Sequence, residues 1–502
     1  MANLIKTNRA LLITFAIVLL LIILISQGLE AKVWVSILLS GVTLAALYFL
    51  LASGLSLIFG LMDVLNFAHG AIFVLGAFVG LSVFANPRLF FNTVPFILTI
   101  TAGVLLGERY GYYLWRNITR LTARRVIQGV LLIVAFGIVA FSLRRFPISA
   151  LNAFSVTAVG GAVPTPQAQE ALAIMIQRVA FVILGGLIFG VLAAPKEARD
   201  IGRQRPSWQI IGFTLIILIT AFLVLIYRDP GETFFLGLSP NIRFLLALII
   251  GSLTGAIVGI AIEVVLIRPF YGRPVTQLVL TLGLLIVMID LIELIWGDEG
   301  HPPMQPPSLF AESCRSESIV AWLSENCSSI NVLGRAFPTY RLFIITVGIL
   351  VLIGVGLLLQ RTRIGMIIRA GVQDSEMVEA LGINVRQVFT FVFALGSGLA
   401  ALGGVIVAPF LGVYPAMGGV FQLQAFVAVV IGGMGSFAGA AVGTLILGLA
   451  RAFGDYFVAA GIDIPMLDLT FKGSPAIAKA SSVLIMAIVL LVRPQGIFGK
   501  KE

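Results

Sequence analysis

The sequence predicts an all-α polytopic membrane protein with about 12–14 transmembrane helices. Hydrophobic residues make up 59% of its 502 residues and charged residues only 11%, whereas soluble domains carry about 25% charged residues. Apolar runs of about 20 residues, each long enough to cross a bilayer core of about 30 Å, recur along the whole chain. These runs are too long and too weakly alternating for barrel strands, and backbone groups in lipid must be satisfied internally, so we expect helices.

The apolar runs define thirteen candidate spans, two of which are open to a second interpretation. The first follows Lys6 and Arg9 and is favoured as a span, with a signal peptide as the alternative. The run 420–457 is interrupted by glycines in "IGGMGSFAGAAVG", so it forms either two spans or a re-entrant pair. The candidate spans lie near residues 10–26, 33–60, 63–84, 94–107, 126–143, 176–194, 209–227, 243–267, 275–296, 340–360, 386–411, 420–457 and 480–493.

The distribution of lysine and arginine predicts the orientation of the chain. If the N-terminus is inside and the spans alternate, the inside segments carry 20 of the 33 basic residues and few acidic ones. Short cytoplasmic loops are enriched in lysine and arginine, so both termini are predicted to be cytoplasmic. This bias and the attraction to anionic lipid account for the net charge of +10, and nucleic-acid binding is not needed to explain it.

The longest outside loop, residues 297–340, contains both cysteines of the chain. Cys314 and Cys327 are predicted to lie in the compartment where disulfides persist. A structural disulfide between them is favoured, and two unpaired thiols are the alternative. The bridge would contribute about 3 kcal/mol to local order in the chain-entropy model.

Several classes of chemistry are poorly supported by the sequence. With two histidines and no His-Glu-x-x-His motif, the chain has no multi-histidine metal site. It has no G-x-x-x-x-G-K-[ST] phosphate loop and no Gly-x-Ser-x-Gly elbow. We therefore predict no catalytic residue and no metal, and transport is the remaining class of function.

The inside loop 361–386 is the most informative segment. Between Ile364 and Leu381 apolar residues alternate with charged ones, and Gly382 follows, which is typical of short helices at a membrane surface ended by a glycine. One interpretation is an interfacial helix that only joins two spans. The other is a docking element that enters a groove of a cytoplasmic partner.

Five motifs occur in one order along residues 40–84, 255–300 and 360–499. They are the region around "NFAHG", then "GIAIEVVLIRPF", "RTRIGMIIRAGVQDSEMVEALGINV", "AFVAVVIGGMGSFAGAAVGTLILGLA" and the terminal "LVRPQGIFG". In these motifs the chain resembles the permease subunits of branched-chain amino acid (LIV-type) ABC importers, especially their LivH-like branch. The resemblance implies an ABC-importer permease-like core.

The resemblance also implies a function and a set of partners. The chain would be the permease of an ATP-driven importer for branched-chain, hydrophobic amino acids in the inner membrane of a prokaryote. It would hold no cofactor, because ATP and Mg²⁺ would bind two separate ATP-binding subunits. The other implied partners are a second related permease or a copy of this chain, an extracytoplasmic solute-binding protein and membrane lipid. By position in the docking loop, the implied coupling residues are Ala370, Gly371, Glu379, Ala380 and Gly382.

One departure from the family concerns length between motifs. The blocks ending near Gly80 and restarting near Gly255 lie much closer together in the family, so residues 88–240 are predicted to be an insertion with about four extra, peripheral spans. An even number of extra spans keeps the loop 361–386 on the inside of the membrane. We expect an additional N-terminal span in 1–32, the first part of the core in 33–87 and its second part in 241–499.

The motif "NFAHG" places polar side chains in an apolar segment. Asn66 and His69 are three residues apart and share one face of a helix. Gly60 and Gly70 bracket them and would permit a broken helix that lines a cavity. We favour a substrate pathway formed by Asn66, His69 and Gly70, as the resemblance implies, over a pair that is bonded only within the helix bundle.

Glycines at i, i+4 spacing predict close helix packing, as at Gly251, Gly255 and Gly259. The Gly432-Gly433 pair is different, because a re-entrant turn there would form a possible gate.

Two other functions are weighed against the amino-acid importer. One is the same type of importer for urea or a short amide. The other, less favoured, is a stand-alone channel or secondary transporter, which would need coupling-ion residues. The intramembrane acids are few, namely Glu263, Asp290 and Glu293.

Overall fold

The computed structural model describes most of the chain between residues 30 and 460. The described residues are 30–62, 65–116, 121–143, 172–193, 208–373, 375–460, 462–464, 469–471, 487, 491 and 495–498. The predicted span 10–26 and nearly all of 480–493 lie outside them.

The described residues are mostly helical, as predicted. Eight of their helices are long and apolar enough to cross a membrane, and a bent pair, α6 and α7, makes a ninth candidate. Three further apolar helices are shorter. The helices are α1 (Ala31–Met62), α2 (His69–Ala85), α3 (Pro87–Arg116), α4 (Leu121–Leu143), α5 (Leu172–Ala193), α6 (Trp208–Ile226), α7 (Arg228–Gly237), α8 (Pro240–Ile262), α9 (Pro274–Trp296), α10 (Ile319–Glu325), α11 (Thr339–Arg361), α12 (Arg363–Gln373), α13 (Ser375–Ala380), α14 (Val385–Leu411), α15 (Met417–Gly432) and α16 (Phe437–Ala460). The prediction of an all-α polytopic protein is confirmed.

Three elements differ in detail from the predicted spans. The span expected from residue 63 begins as a helix only at His69. The run 420–457 is a pair of helices, α15 and α16, because the chain turns at Gly433 and Gly435, which have φ angles of +102° and +78°. The span at 243–267 ends its α-helix at Ile262 and continues as a π-helical turn, Glu263–Ile267.

The chain divides into two compact units. The first contains Met1–Gly80, Phe244–Asp290 and Pro302–Glu502, and the second contains Leu81–Arg243 and Leu291–His301.

The first unit is organised around α1, whose residues 45 to 58 are all buried. Helix α14 crosses α1 at a glycine pair, where a Cβ atom on Gly396 would lie 2.9 Å from the carbonyl oxygen of Gly54. Helix α16 approaches α1 as closely, because a Cβ atom on Gly448 would lie 2.5 Å from the carbonyl oxygen of Gly41. Close backbone contacts of this kind are how helices associate in lipid, where the hydrophobic effect does not drive them together.

In the second unit, α3 and α5 pack through small residues in the same way. A Cβ atom on Gly103 would lie 2.5 Å from the carbonyl oxygen of Ile183, and one on Gly186 would lie 2.6 Å from that of Ile100. The buried side chains of this unit include Phe96, Met175, Val179, Val182 and Leu225. The predicted boundaries of the insertion, 88 and 240, stay a prediction.

The loop between α9 and α11 carries a small sheet in the first unit. Strand β2 (Cys327–Val332) pairs in parallel with β1 (Glu312–Ser316) and antiparallel with β3 (Arg335–Pro338). A disulfide joins Cys314 on β1 to Cys327 on β2. A second pair of short strands, β4 (Ile462–Ile464) and β5 (Leu469–Phe471), is antiparallel.

Candidate functional site

The "NFAHG" motif lies at a break between α1 and α2. The backbone of residues 65 to 68 is not helical, and α2 starts at His69. Asn66 is 1% exposed, and its Oδ1 atom accepts a hydrogen bond from the backbone N–H of Ala68 at 3.1 Å. This local bond competes with helix formation and stabilises a turn. Asn66 therefore has a structural role in the break itself.

Side chains from two other helices bind carbonyl groups at this break, one of which, that of Asn66, also accepts from the backbone N–H of His69 at 3.4 Å. Thr281 of α9 donates to the carbonyl oxygen of Leu65 at 3.2 Å, and Gln422 of α15 donates to that of Asn66 at 3.4 Å. A broken helix is tolerated in a membrane when neighbouring side chains satisfy its backbone in this way. Gln422 was not among the residues predicted from the sequence, although an amide in the apolar run "GGVFQLQAFV" is a signal that points to it.

His69 and Gly70 begin α2 and are buried, His69 with 0% exposure. The His69 ring lies beside the backbone of Leu51. Within the described part of the chain neither ring nitrogen makes a hydrogen bond of good geometry, and the same is true of the Nδ2 atom of Asn66. Gly70 allows α15 to come close, because a Cβ atom there would lie 2.6 Å from the carbonyl oxygen of Gly418. Buried polar atoms in proteins are nearly always hydrogen-bonded, so those that are not require an explanation. A functional role is one such explanation.

The coupling segment consists of two short helices, α12 and α13, and a turn at Gly382 with φ +82°. Four of its five predicted residues, Ala370, Glu379, Ala380 and Gly382, are exposed. The same surface exposes large apolar side chains, including Met366 (62% exposed), Met377 (61%) and Leu381 (73%). Exposed apolar groups beside charged ones are typical of a surface that meets a partner or a membrane.

The fifth predicted coupling residue, Gly371, lies on the buried side of α12. A Cβ atom there would lie 3.0 Å from Cδ1 of Leu61, the next-to-last residue of α1. Gly60 precedes Leu61 in α1, and a Cβ atom on Gly60 would lie 2.9 Å from Cα of Gly435, in the turn between α15 and α16. The end of α1 thus contacts the coupling segment and the turn between α15 and α16, and "NFAHG" begins four residues after α1 ends.

The predicted gate residues, Gly432 and Gly433, end α15. Gly432 packs against Gly439 of α16 so closely that a side chain on it would overlap the Gly439 carbonyl. Two backbone bonds from the C-terminal motif reach this point: Ile497 N–H donates to the carbonyl oxygen of Ile431, and Phe498 N–H to that of Gly432, both at 2.9 Å. No role for this C-terminal segment was predicted from the sequence.

The three intramembrane acids have different surroundings. Glu263 is fully buried and forms an ion pair with Arg268 at 2.9 Å. Asp290 is exposed and Glu293 is half-buried. Among the described residues there is no group of three or more histidine, cysteine or acidic side chains placed to hold a metal ion.

Comparison with known proteins identifies a family. Residues 210–493 match the family described as "Branched-chain amino acid transport system / permease component". This match begins inside the segment 88–240 and includes the coupling segment, the α15–α16 turn and Gln422. It excludes "NFAHG".

Individual relatives extend the similarity. The chain is 29% identical over 310 residues to the high-affinity branched-chain amino acid transport system permease protein LivH of Escherichia coli (strain K12), covering 58% of this chain and 90% of that protein. It is 30% identical over 250 residues to the corresponding protein BraD of Pseudomonas aeruginosa, covering 49% and 71%. It is 26% identical over 306 residues to the fructose import permease protein FrcC of Rhizobium meliloti, covering 57% and 77%. No solved structure matches the chain significantly.

Proposed function

Because the chain belongs to the family of permease components of branched-chain amino acid transport systems, we propose that it is the membrane subunit of an ATP-driven importer for branched-chain or other hydrophobic amino acids. The names of LivH and BraD support this substrate class. The buried polar groups at the α1–α2 break are neutral amides and an imidazole, which suits a zwitterionic solute without net charge.

The contact of Gly371 with Leu61 is the observation that carries this function. It connects the exposed face of α12 and α13, where an ATP-binding subunit would dock, to the end of α1 and hence to the break at Asn66. A movement imposed on the coupling segment would act directly on the helix end that precedes the polar pathway. Such a connection is what an importer powered by a separate ATPase requires.

The partners follow from the same proposal. ATP and Mg²⁺ bind two ATP-binding subunits, since this sequence has no phosphate loop. A second permease, related or identical, completes the pathway, and an extracytoplasmic solute-binding protein delivers the amino acid. The chain lies in a prokaryotic inner membrane with both termini in the cytoplasm, as the distribution of basic residues favours.

The test is reconstitution of the chain with its ATP-binding, permease and solute-binding partners in proteoliposomes. Leucine, isoleucine or valine should stimulate ATP hydrolysis and be taken up, whereas fructose and urea should do neither. Replacing Glu379 by Arg together with Gly382 by Pro should keep the chain in the membrane and uncouple hydrolysis from uptake, since proline is incompatible with φ +82°. Stimulation by urea alone would instead support the alternative importer for urea or an amide.

A further inference from the structure

A buried carboxylate at the end of α8 has no role in the function proposed above. Glu263 is 0% exposed and begins the π-helical turn that continues α8. Single π-helical turns inside helices occur frequently at functional positions. A buried charge is costly unless it is paired and hydrogen-bonded. The groups that bind the Glu263 carboxylate therefore determine whether it stabilises the helix packing.

Three side chains bind the Glu263 carboxylate. Arg268 donates to it through two atoms, Nε to Oε1 at 3.1 Å and Nη2 to Oε2 at 2.9 Å. Tyr271 donates its hydroxyl to Oε1. Thr390, on α14, donates to Oε2 at 2.8 Å and accepts from Arg268 Nη2 at 2.7 Å. Burial, and then the bond to Glu263, raises the pKa of Tyr271, so this phenol keeps its proton.

Thr390 is the member of this group that lies on a different span. The α14 helix begins at Val385, so Thr390 lies near its start, shortly after the coupling segment ends at Gly382. The ring of Tyr271 adds a second contact with α14, packing edge-on against Phe389 with ring centroids 5.3 Å apart. The polar group therefore ties the end of α8 to the part of α14 nearest the coupling segment.

The rest of the α8–α14 contact is made by small residues. Gly251, Gly255 and Gly259 follow one another at four-residue spacing and pack against Val405, Ala401 and Ser397 of α14. Glu263 is the next position of the same series. A seam of small residues allows close approach but has few directional contacts, whereas a polar residue fixes the register of two helices.

We propose that Glu263, held by Arg268, Tyr271 and Thr390, is a positioning residue that locks the register of α8 on α14, so that both helices move as one body when the ATPase moves the coupling segment. The proposal rests on the function proposed above for its transport consequence. The register lock itself is a property of the helix pair and can be measured without substrate.

The decisive variant is Thr390→Val, which keeps the shape of the side chain and removes its contacts with Glu263 and Arg268. It also removes the bond of the hydroxyl to the carbonyl of Arg386 in its own helix, a loss that the control variant below reproduces by itself. Thr390→Ser is the rescue variant, because it retains the hydroxyl. Thr346→Val on α11 is the matched control, since Thr346 is exposed and its hydroxyl bonds only to the carbonyl of Leu342 in its own helix. Each of the three variants is compared with the unmodified protein, as an assembled complex in proteoliposomes.

The first readout is leucine imported per ATP hydrolysed, together with the amount of assembled complex. We expect Thr390→Val to assemble normally and to lower this ratio by about threefold or more, within the range of mutations that disturb coupling. Thr390→Ser and Thr346→Val should keep the ratio of the unmodified protein. Glu263→Gln should lower it as well, and combining it with Thr390→Val should add little, since both remove one interaction.

The second readout is the distance between spin labels on exposed positions of the two helices, Ile260 of α8 and Phe391 of α14, after the native cysteines have been replaced. The unmodified complex should give a narrow distribution that an ATP analogue does not change, and Thr390→Val should broaden it. An unchanged distribution in Thr390→Val overturns the register lock. A broadened distribution with an unchanged import ratio overturns its role in coupling. If the unmodified complex imports no leucine, the proposed function fails, and the spin-label distances still decide the register lock.

Discussion

Leu61 at the end of α1 lies against Gly371 of α12 so closely that a Cβ atom on Gly371 would lie 3.0 Å from Cδ1 of Leu61. This contact joins two segments that are 310 positions apart in sequence. One leads into "NFAHG", and the other is the segment that resembles the ATPase-docking loop of ABC importers. It makes a direct test of coupling possible.

We expect Gly371→Leu to lower leucine uptake per ATP hydrolysed. A Cβ atom at this position would lie 3.0 Å from the flexible end of Leu61, so alanine should be tolerated, whereas leucine must push α12 away from α1. Uptake and ATP hydrolysis in proteoliposomes provide the measurement. Gly354→Leu on α11 is the matched control, because nothing lies within 4 Å of a Cβ atom there.

A second substitution distinguishes loss of the Leu61–Gly371 contact from general disruption of the fold. Leu61→Ala should restore uptake in the Gly371→Leu protein by making room for the new side chain. If the double variant is no better than the single one, the Leu61–Gly371 contact does not carry the coupling.

Substitutions of the two polar residues at the α1–α2 break, His69 and Asn66, should affect folding and uptake differently. His69→Leu removes a buried ring whose nitrogens make no well-formed hydrogen bond within the described structure, so the amount of folded complex should stay the same or rise. Leucine uptake should fall by about three- to tenfold, the effect of one lost hydrogen bond to the solute. Normal uptake by His69→Leu would assign the ring to packing.

Asn66→Leu should behave differently, because Asn66 holds the turn through Ala68. We expect a loss of about 1 kcal/mol in the free energy of unfolding, seen as less folded complex, in addition to lower uptake. Asn66→Ser keeps a side-chain acceptor oxygen without adding a charge to this buried position, and it should recover the folded amount. A folded amount as low as that of Asn66→Leu would show that the bond to Ala68 does not stabilise the turn.

The C-terminal segment should control leakage at the end of α15. Ile497→Pro removes the N–H that binds the carbonyl oxygen of Ile431 at 2.9 Å, and a proline nitrogen has no proton to replace it. Without this bond the Gly432–Gly433 turn is less constrained, so leucine-loaded vesicles should leak faster in the absence of ATP. Ile497→Val keeps the N–H and should not leak. Equal leak rates for the two variants would separate this segment from the gate.

The orientation can be tested across a single span. Cysteines placed at Ser324 and Thr362, both exposed and lying before and after α11, should react with an impermeant thiol reagent from opposite sides, Ser324 from outside. Cys314 and Cys327 must first be replaced by serine. Labelling of both positions from the same side would show that α11 does not cross the membrane.

The all-α membrane class and most of the helix positions follow from local sequence alone. A run such as 340–360 is apolar all along, and lipid leaves an apolar chain no alternative to internal hydrogen bonding. The helix α11 accordingly runs from Thr339 to Arg361. Motif order was sufficient to indicate the family, because the residues of each motif are close together in sequence.

Which of these segments meet depends on the packing of the folded chain. The contacts of Leu61 with Gly371, Asn66 with Gln422 and Glu263 with Thr390 each join residues more than 120 positions apart. Hydropathy records how a segment partitions into lipid, but it carries no information about which face of one helix packs on which face of another. In the sequence Glu263 was therefore recognisable only as one of a few intramembrane acids. Its role as a link between two spans depends on Thr390, which no local pattern singles out.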